Sequence, residues 1–544
     1  MAEEKNRFPH PERLWGVLGL VLVLLLGSWV YRDVGDFKFV QFDDPALVNN
    51  NPYVNRGLTA DSVRWAFTFQ ESEGLRAEPL ARELWAPLSF LSLALDVQVA
   101  GLDPAVHHRV NLYLHLLGTC LAFVFFLRLT RQPLVAGMVA AVFCFHPMHA
   151  ESVAWISERK DVLSTLFVLA TLNLYLAWKL RSGGSGRPLW WGALLCFVLA
   201  CLAKPMAVVT PLLLLWIDCW LDRRQPGLAA AGSPRLSISE QLRQKAPFLV
   251  IMLATGVTTF AMKMAHSAAP SGPGSDLWGR VVEIPFALLF YIERTAWPHY
   301  LFPIYERYPQ PFQIATLVGV IVVAVVSWGS FWLRERAPEW WFGWGWFIIC
   351  LLPVIGFAYA GPSFTADRYT YLAHCGLAFA VVSSMLRLVA RWPGWWIPVL
   401  LLNAFYLSRI APIAHATAAT WENSETLFRQ GVRAQPSSGK NWNNLGALLV
   451  NQGKVDEGIM HLKRSIELGG MPDAYFNLAA VSLSRGGPPG QAAKMLRECL
   501  RYHPDSGAAM EMLGELLGNP EHVGLYDPEE SRSLIERGRA LQNR

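Results

Sequence analysis

Residues 133–179 read PLVAGMVAAVFCFHPMHAESVAWISERKDVLSTLFVLATLNLYLAWK, and this stretch decides the fold. Two apolar runs, 133–149 and 161–179, flank a polar segment that closes with four charges, Glu158-Arg159-Lys160-Asp161. About 20 apolar residues in a helix cross the hydrocarbon core of a bilayer. Each run approaches that length, so the stretch reads as a membrane hairpin with its polar turn at a surface. The pattern recurs along the chain. Candidate spans are residues 14–30, 107–127, 133–149, 161–179, 188–203, 205–221, 246–264, 313–333, 340–359, 371–386 and 394–410, which makes eleven crossings.

Composition agrees with a membrane class. Of 544 residues, 53% are hydrophobic and only 16% charged, more apolar and less charged than a soluble domain. The apolar blocks stop near residue 410 and the chain then turns polar. An all-α membrane domain over 1–412 and a second domain over 413–544 are expected. The net charge of +5 is modest and its basic residues sit in short loops between blocks, a mark of membrane topology and not of nucleic-acid binding. Seven of the eight cysteines lie in or beside apolar blocks and the eighth, Cys499, at a small-residue repeat position. None has metal or disulfide spacing. A charged start, Met1 to Arg13, precedes the apolar run Leu14 to Val30 with no small-residue cleavage site before Tyr31, so a retained first helix is expected.

Lysine and arginine set the sidedness. With the N-terminus inside, the inner loops receive Arg128 and Arg131; Lys179, Arg181 and Arg187; Arg223, Arg224, Arg235, Arg243 and Lys245; Arg334 and Arg336; and Arg387 and Arg391. The alternation requires that residues 280–297, which carry Glu283, Pro285, Glu293 and Arg294, make no net crossing. One long loop, 31–106, and the C-terminal domain then face the outer compartment.

The polar C-terminal part repeats at a period of 34. One unit, about 439–472, places Trp442, Leu445, Gly446, Leu449, Gly453, Leu462 and Ser465; the next, about 473–506, places Phe476, Ala479, Ala480, Leu483, Gly487, Leu496 and Cys499 at matching positions. This is the tetratricopeptide pattern of paired helices stacked into an α-solenoid, whose concave face usually holds a peptide or protein. A half-unit, Trp421 to Pro436, leads in, and 507–540 reads as a degenerate closing unit.

Four polar constellations gather on the outer side. Asp43 and Asp44 follow the first span, where two carboxylates on irregular backbone can serve as a general base with its partner or as metal ligands; a turn that caps the helix end is the plainer reading. His146, His149 and Glu151 open the polar turn and could bind a divalent metal or polarise a phosphate; Arg159 and Lys160 close it. Lys204 lies between two apolar runs, a costly place for a charge. Asp367 and Arg368 precede the tenth span. Arginine and lysine at a bilayer surface can hold a lipid phosphate, or merely snorkel to the interface.

Together, in this order, the stretches resemble the transmembrane and tetratricopeptide-repeat O-mannosyltransferase family and its bacterial relatives. The matching text runs from Phe42-Asp43-Asp44 through Trp85-Ala86-Pro87-Leu88, Gly101-Leu102-Asp103-Pro104, His107 to Asn111 and His115. It continues with His146 to Asp161, Leu202-Ala203-Lys204-Pro205-Met206, Leu351 to Gly356, and Ala366 to Tyr371. The resemblance implies a GT-C-like membrane glycosyltransferase that moves a sugar, in that family mannose, from a polyprenyl phosphate to a protein hydroxyl with inversion. It implies Asp43 or Asp44 as the base. Arg159, Lys160, Lys204 and Arg368 would offset charge on the departing phosphate, with His146, His149, Glu151 and Asp367 in support. A bacterial inner membrane, with loop 31–106 and the repeats facing the periplasm and the repeats binding the acceptor or a partner, is the matching location. Three alternatives stand beside it: transfer to a glycolipid, a non-catalytic scaffold whose polar loops only cap helices, and a transporter. A transporter would usually show polar groups near the midplane and not at one face. No glycine-rich nucleotide loop is visible.

Overall fold

Proline at the first helical positions, where its missing N–H costs nothing, starts helix after helix in this chain. The computed structural model describes residues 10–181, 186–224, 237–266, 277–303, 305, 312–355, 365–469 and 471–542. The expectations placed on residues 1–9, Arg235, Gly356 and 357–359 lie outside the described residues. Every regular element among the described residues is helical. The chain divides into two compact units, Met1–Asn423 and Ser424–Arg544. The expected boundary at 412/413 falls inside the helix Trp396–Ala419, because the apolar run continues for two more turns past its internal Pro412.

The first unit opens with α1 (His10–Val30), followed by α2 (Ala60–Thr68), α3 (Pro79–Glu83) and α4 (Pro87–Ala100). Next come α5 (Pro104–Thr130), α6 (Pro133–Phe145), α7 (Ala150–Ala154), α8 (Arg159–Lys179), α9 (Arg187–Ala203) and α10 (Thr210–Arg224). It ends with α11 (Ile238–His266), α12 (Leu277–Ala296), α13 (Phe312–Trp332), α14 (Pro338–Leu351), α15 (His374–Arg391) and α16 (Trp396–Ala419). The eleven expected spans each overlap one of these helices, though 340–359 outruns α14, 205–221 starts in the turn Pro205–Val209 and 133–149 outruns α6. Among the described residues, seven helices are long and apolar enough to cross a membrane, and an eighth span arises if Pro133–Phe145 and Pro147–Ala154, bent by 54°, count together. Leu14–Val30 and Arg187–Ala203 are shorter apolar helices. The chain is a multi-pass membrane protein.

The basic loops expected on one side do meet there. Lys179 and Lys245 share Asp218, Arg223 pairs with Glu335 at 3.6 Å and Arg387 with Glu339 at 2.6 Å. At the opposite ends, Met262 of α11 packs against the core of loop 31–106, and Thr295 of α12 bonds to His146 and His374. Met262 and Thr295 thus lie at the same end of the unit. Helix α12 lies close along α13: a Cβ on Gly319 would come within 2.6 Å of the Pro285 carbonyl oxygen.

Loop 31–106 is a small folded layer, not a strand of open coil. Trp65 is buried at its centre, stacked on Tyr53 with ring centroids 4.9 Å apart and flanked by Phe69 and Phe90. The Tyr53 hydroxyl donates to the Leu75 carbonyl at 2.9 Å and accepts from Ser72 N–H at 2.7 Å. Last in the unit, α16 ends against this layer, where Lys38 N–H donates to the Glu422 carbonyl at 2.9 Å.

The second unit is built of α17 (Ser424–Ala434), α18 (Gly439–Asn451), α19 (Val455–Glu467), α20 (Pro472–Ser484), α21 (Pro489–Tyr502), α22 (Gly507–Gly518) and α23 (Pro528–Gln542). Hairpins α18/α19, α20/α21 and α22/α23 stack in sequence, the arrangement of an α-solenoid. Gly446 is needed at the first crossing, since a Cβ there would lie 2.9 Å from Leu462. Equivalent positions 34 residues apart touch directly, Asn477 Nδ2 donating to Asn443 Oδ1 at 3.0 Å.

Candidate functional site

The two adjacent carboxylates of the first loop have different surroundings. Asp44 is 0% exposed. Its Oδ2 accepts from Val40 N–H at 2.9 Å, and its Oδ1 accepts from Trp155 Nε1–H at 3.0 Å, Ser157 N–H at 3.2 Å and the Ser157 hydroxyl at 2.5 Å. Burial pushes its carboxyl up to about 6, against the hydrogen bonds from Ser157 and Val40 that favour the charge. Asp44 therefore ties the first loop to the turn between α7 and α8. Asp43 is half-buried beside it, with its side chain nearer the surface. Just after the pair, Pro45–Asn49 coils as one π-helical turn, a local distortion that terminates the loop's approach to the site.

Trp155 joins this acid pair to a cluster of cations. Its N–H holds Asp44, its ring stacks on Trp421 at 4.8 Å, and the charges of Lys160 and Arg368 each lie 5.8 Å from the ring centroid. Glu158 is the hub of the cluster. Lys160 approaches it at 3.2 Å, Lys204 at 3.4 Å and Arg368 at 3.2 Å. Lys204 also meets Asp161 at 2.5 Å. Glu151 grips Arg368 twice, through the guanidinium and through the backbone N–H at 3.1 Å.

This cluster is layered. The side chains of Glu158, Glu151 and Asp161 are 1%, 4% and 8% exposed, whereas those of Lys204, Lys160 and Arg368 are 11%, 12% and 17% exposed. Carboxylates form the floor and cations the accessible layer. Lys204, Asp161 and Arg368 also line a cavity of about 40 Å³, whose remaining wall includes Met206, Val209 and Leu372.

Three of the four residues expected to meet a phosphate are thus brought together: Lys160, Lys204 and Arg368. Arg159 is not among them. It points the other way and is wholly buried, donating to Ser92 at 2.8 Å, Asp96 at 2.6 Å, the His107 carbonyl at 2.9 Å and Asn111. Its neighbour Lys160 has the opposite fate because adjacent residues on a helix point about 100° apart. Asp367 also turns inward, accepting the Tyr305 hydroxyl at 3.0 Å; burial and then the Glu151 charge push its carboxyl well above the ordinary range. His146 and His149 leave Glu151 and join His374, which sequence reasoning missed. Neither His374 nor Tyr305 carries a local signal, since their partners are far away in the chain. Trp155, Glu158 and Asp161 lay inside the motif, and only the fold distinguishes them as connectors and floor.

No family model matches the chain. By sequence it is 22% identical over 453 residues to Protein O-mannosyl-transferase Tmtc3 of Drosophila melanogaster, covering 71% of this chain and 48% of that protein. It is 24% identical over 480 residues to Protein O-mannosyl-transferase TMTC1 of Homo sapiens, covering 79% and 53%. The chain spans about half the length of these curated relatives. Among solved structures, the apo oligosaccharyltransferase of Archaeoglobus fulgidus aligns over 75% of this chain and 56% of its own, with 11% identity and a TM-score of 0.44. The proteins this chain is similar to over most of its length are thus protein O-mannosyl-transferases, at 22–24% identity.

Proposed function

We propose that this chain is a membrane glycosyltransferase that moves a sugar, mannose by analogy with its relatives, from a polyprenyl phosphate to a protein hydroxyl. The observation that carries the reading is the Trp155 junction, which fastens a two-carboxylate loop to a cation layer at one membrane face. In the proposed reaction Asp43 takes the proton of the acceptor hydroxyl as its oxygen attacks the anomeric carbon. The bond from that carbon to the phosphate oxygen breaks, and the configuration inverts. Negative charge grows on the departing lipid phosphate, where Lys204, Arg368 and Lys160 are held in place beforehand. Asp44 positions the loop and takes no proton. The face carrying loop 31–106 is the extracytoplasmic one, the periplasmic side of a bacterial inner membrane, because the basic loops lie opposite. The repeats of the second unit bind the acceptor polypeptide or a partner.

The test is direct. Purified full-length protein is incubated with polyprenyl-phosphate sugars and hydroxyl acceptors, and release of the lipid phosphate is followed together with the glycosylated product. Transfer to a polypeptide supports the whole reading, and transfer to a glycolipid alone moves the acceptor. No turnover with any donor, in protein that is folded and inserted, returns the chain to the scaffold reading.

A further inference from the structure

The outer ends of α6, α12 and α15 converge on three buried histidines, His146, His149 and His374, none of which the proposed transfer uses. One ring nitrogen from each lies within 4.8 Å of one from each of the others. Their tautomers follow from their outer partners. A carbonyl can only accept, so His149 Nδ1, 2.8 Å from the Phe143 carbonyl, carries its proton. For the same reason His146 Nε2, 3.1 Å from the Thr295 carbonyl, carries its own. The Thr295 hydroxyl spends its single proton on the Tyr291 carbonyl at 2.6 Å. It must therefore accept from His374 Nε2 at 2.8 Å, which places that ring's proton there as well.

All three outward nitrogens are donors, so in neutral rings all three inward nitrogens are lone pairs. His146 Nδ1 agrees, since it accepts from Met148 N–H at 3.3 Å. Yet His374 Nδ1 and His149 Nε2 face each other at 2.9 Å, hydrogen-bonding distance between two atoms that both lack a proton. Something positive must lie between them. A single extra proton would leave a buried imidazolium, whereas a metal ion would take all three lone pairs at once, displacing the long Met148 N–H contact from His146 Nδ1. Orientation of each ring through its far nitrogen by a carbonyl or hydroxyl is the usual outer support of a ligating histidine.

We infer that His146, His149 and His374 form a site for a zinc-like first-row divalent cation. Three neutral imidazoles favour that class over magnesium or calcium, which take oxygen ligands. Zinc bonds of about 2.0–2.1 Å in tetrahedral geometry hold ligands about 3.3–3.4 Å apart. The close pair opens slightly on binding and His146 closes in. A water takes the fourth position. The ion would pin the bend between α6 and α7 to the start of α15, and through Thr295 to the end of α12. Glu151, the residue that holds Arg368, sits two residues beyond His149 in the same turn. The role is structural, and the inference stands without the transferase reading.

Full-length protein is purified through a tag that contains no histidine, without chelators, and its metal content is measured by mass spectrometry before and after dialysis against Zn²⁺ or Co²⁺. About one ion per chain is expected, with tetrahedral Co²⁺ absorption bands and a melting temperature that a chelator lowers. His149→Ala and His374→Ala should lose the ion and the chelator response, and His503→Ala should keep both. If the variants fail to fold, X-ray absorption at the metal edge of the wild type decides, three imidazole ligands being the expected count. Wild-type protein that holds less than about a tenth of an ion per chain after dialysis, with no chelator-induced shift, overturns the inference and assigns the contact to a shared proton.

Discussion

Replacing Asp44 by alanine should loosen the first loop far more than it perturbs the rest of the chain. The substitution orphans three buried donors: Val40 N–H, Trp155 Nε1–H and Ser157 N–H. The Ser157 hydroxyl can rotate to another acceptor. Each unsatisfied buried donor costs about 1–3 kcal/mol, and water entering the vacated space recovers part of it, leaving a net of about 3–5 kcal/mol. Because the loss is local, hydrogen exchange is the suitable assay. Peptides spanning 37–48 and 153–160 should exchange about 10²–10⁴-fold faster than in the wild type. Asp44→Asn keeps one acceptor oxygen and should cost about 1–2 kcal/mol, roughly tenfold in exchange. In Asp43→Asn the same peptides should stay within a few-fold of the wild type. Unchanged exchange in Asp44→Ala would refute the assignment of Asp44 as the clamp between loop and turn.

Arg159→Ala takes the guanidinium away from buried Asp96 and leaves it His107 Nδ1 at 3.1 Å, at a cost of about 3 kcal/mol, so the measured loss should be in folded yield and melting temperature. Lys204→Gln and Arg368→Gln should instead weaken transfer about 10²–10³-fold, with competition by polyprenyl phosphate reduced in parallel; equal effects from Arg159→Lys and Arg368→Lys on donor competition would contradict the division between them. The pH dependence of loop exchange has a definite sign. The Asp44 carboxyl is raised from 3.8 to about 6 in the folded state, so its contribution is fully present below pH 4 and is lost as pH rises through 6. That loss is on the order of 3 kcal/mol. Exchange measured from pH 4 to 7, corrected for its intrinsic rate, should show that slope in the wild type and lack it in Asp44→Asn.

Much of this architecture is legible in the sequence because bilayer physics leaves few options for 20 apolar residues in a row. The helical spans and the 34-residue repeat follow from period. Boundaries are harder: the apolar block stops near residue 410, yet α16 runs on through Pro412 to Ala419, a proline in a helix near the interface being tolerated. Individual roles were not legible. Nothing in the run Glu158-Arg159-Lys160-Asp161 reveals that Arg159 faces Asp96 while Lys160 faces the cation layer, because that depends on the rotation of α8 against α4 and α5. Nor do Asp43 and Asp44 differ in type. Their difference is a matter of which one the Trp155–Ser157 turn encloses. His374 is separated from His149 by most of the membrane domain, and only packing brings them to 2.9 Å.

The most direct test of the proposed transferase is the rate of sugar transfer by Asp43→Asn, measured with a polyprenyl-phosphate donor in protein whose insertion, melting temperature and loop exchange match the wild type. The account predicts a loss of about 10²–10⁴-fold, with donor binding retained. Transfer at the wild-type rate would contradict it and remove Asp43 from the chemistry.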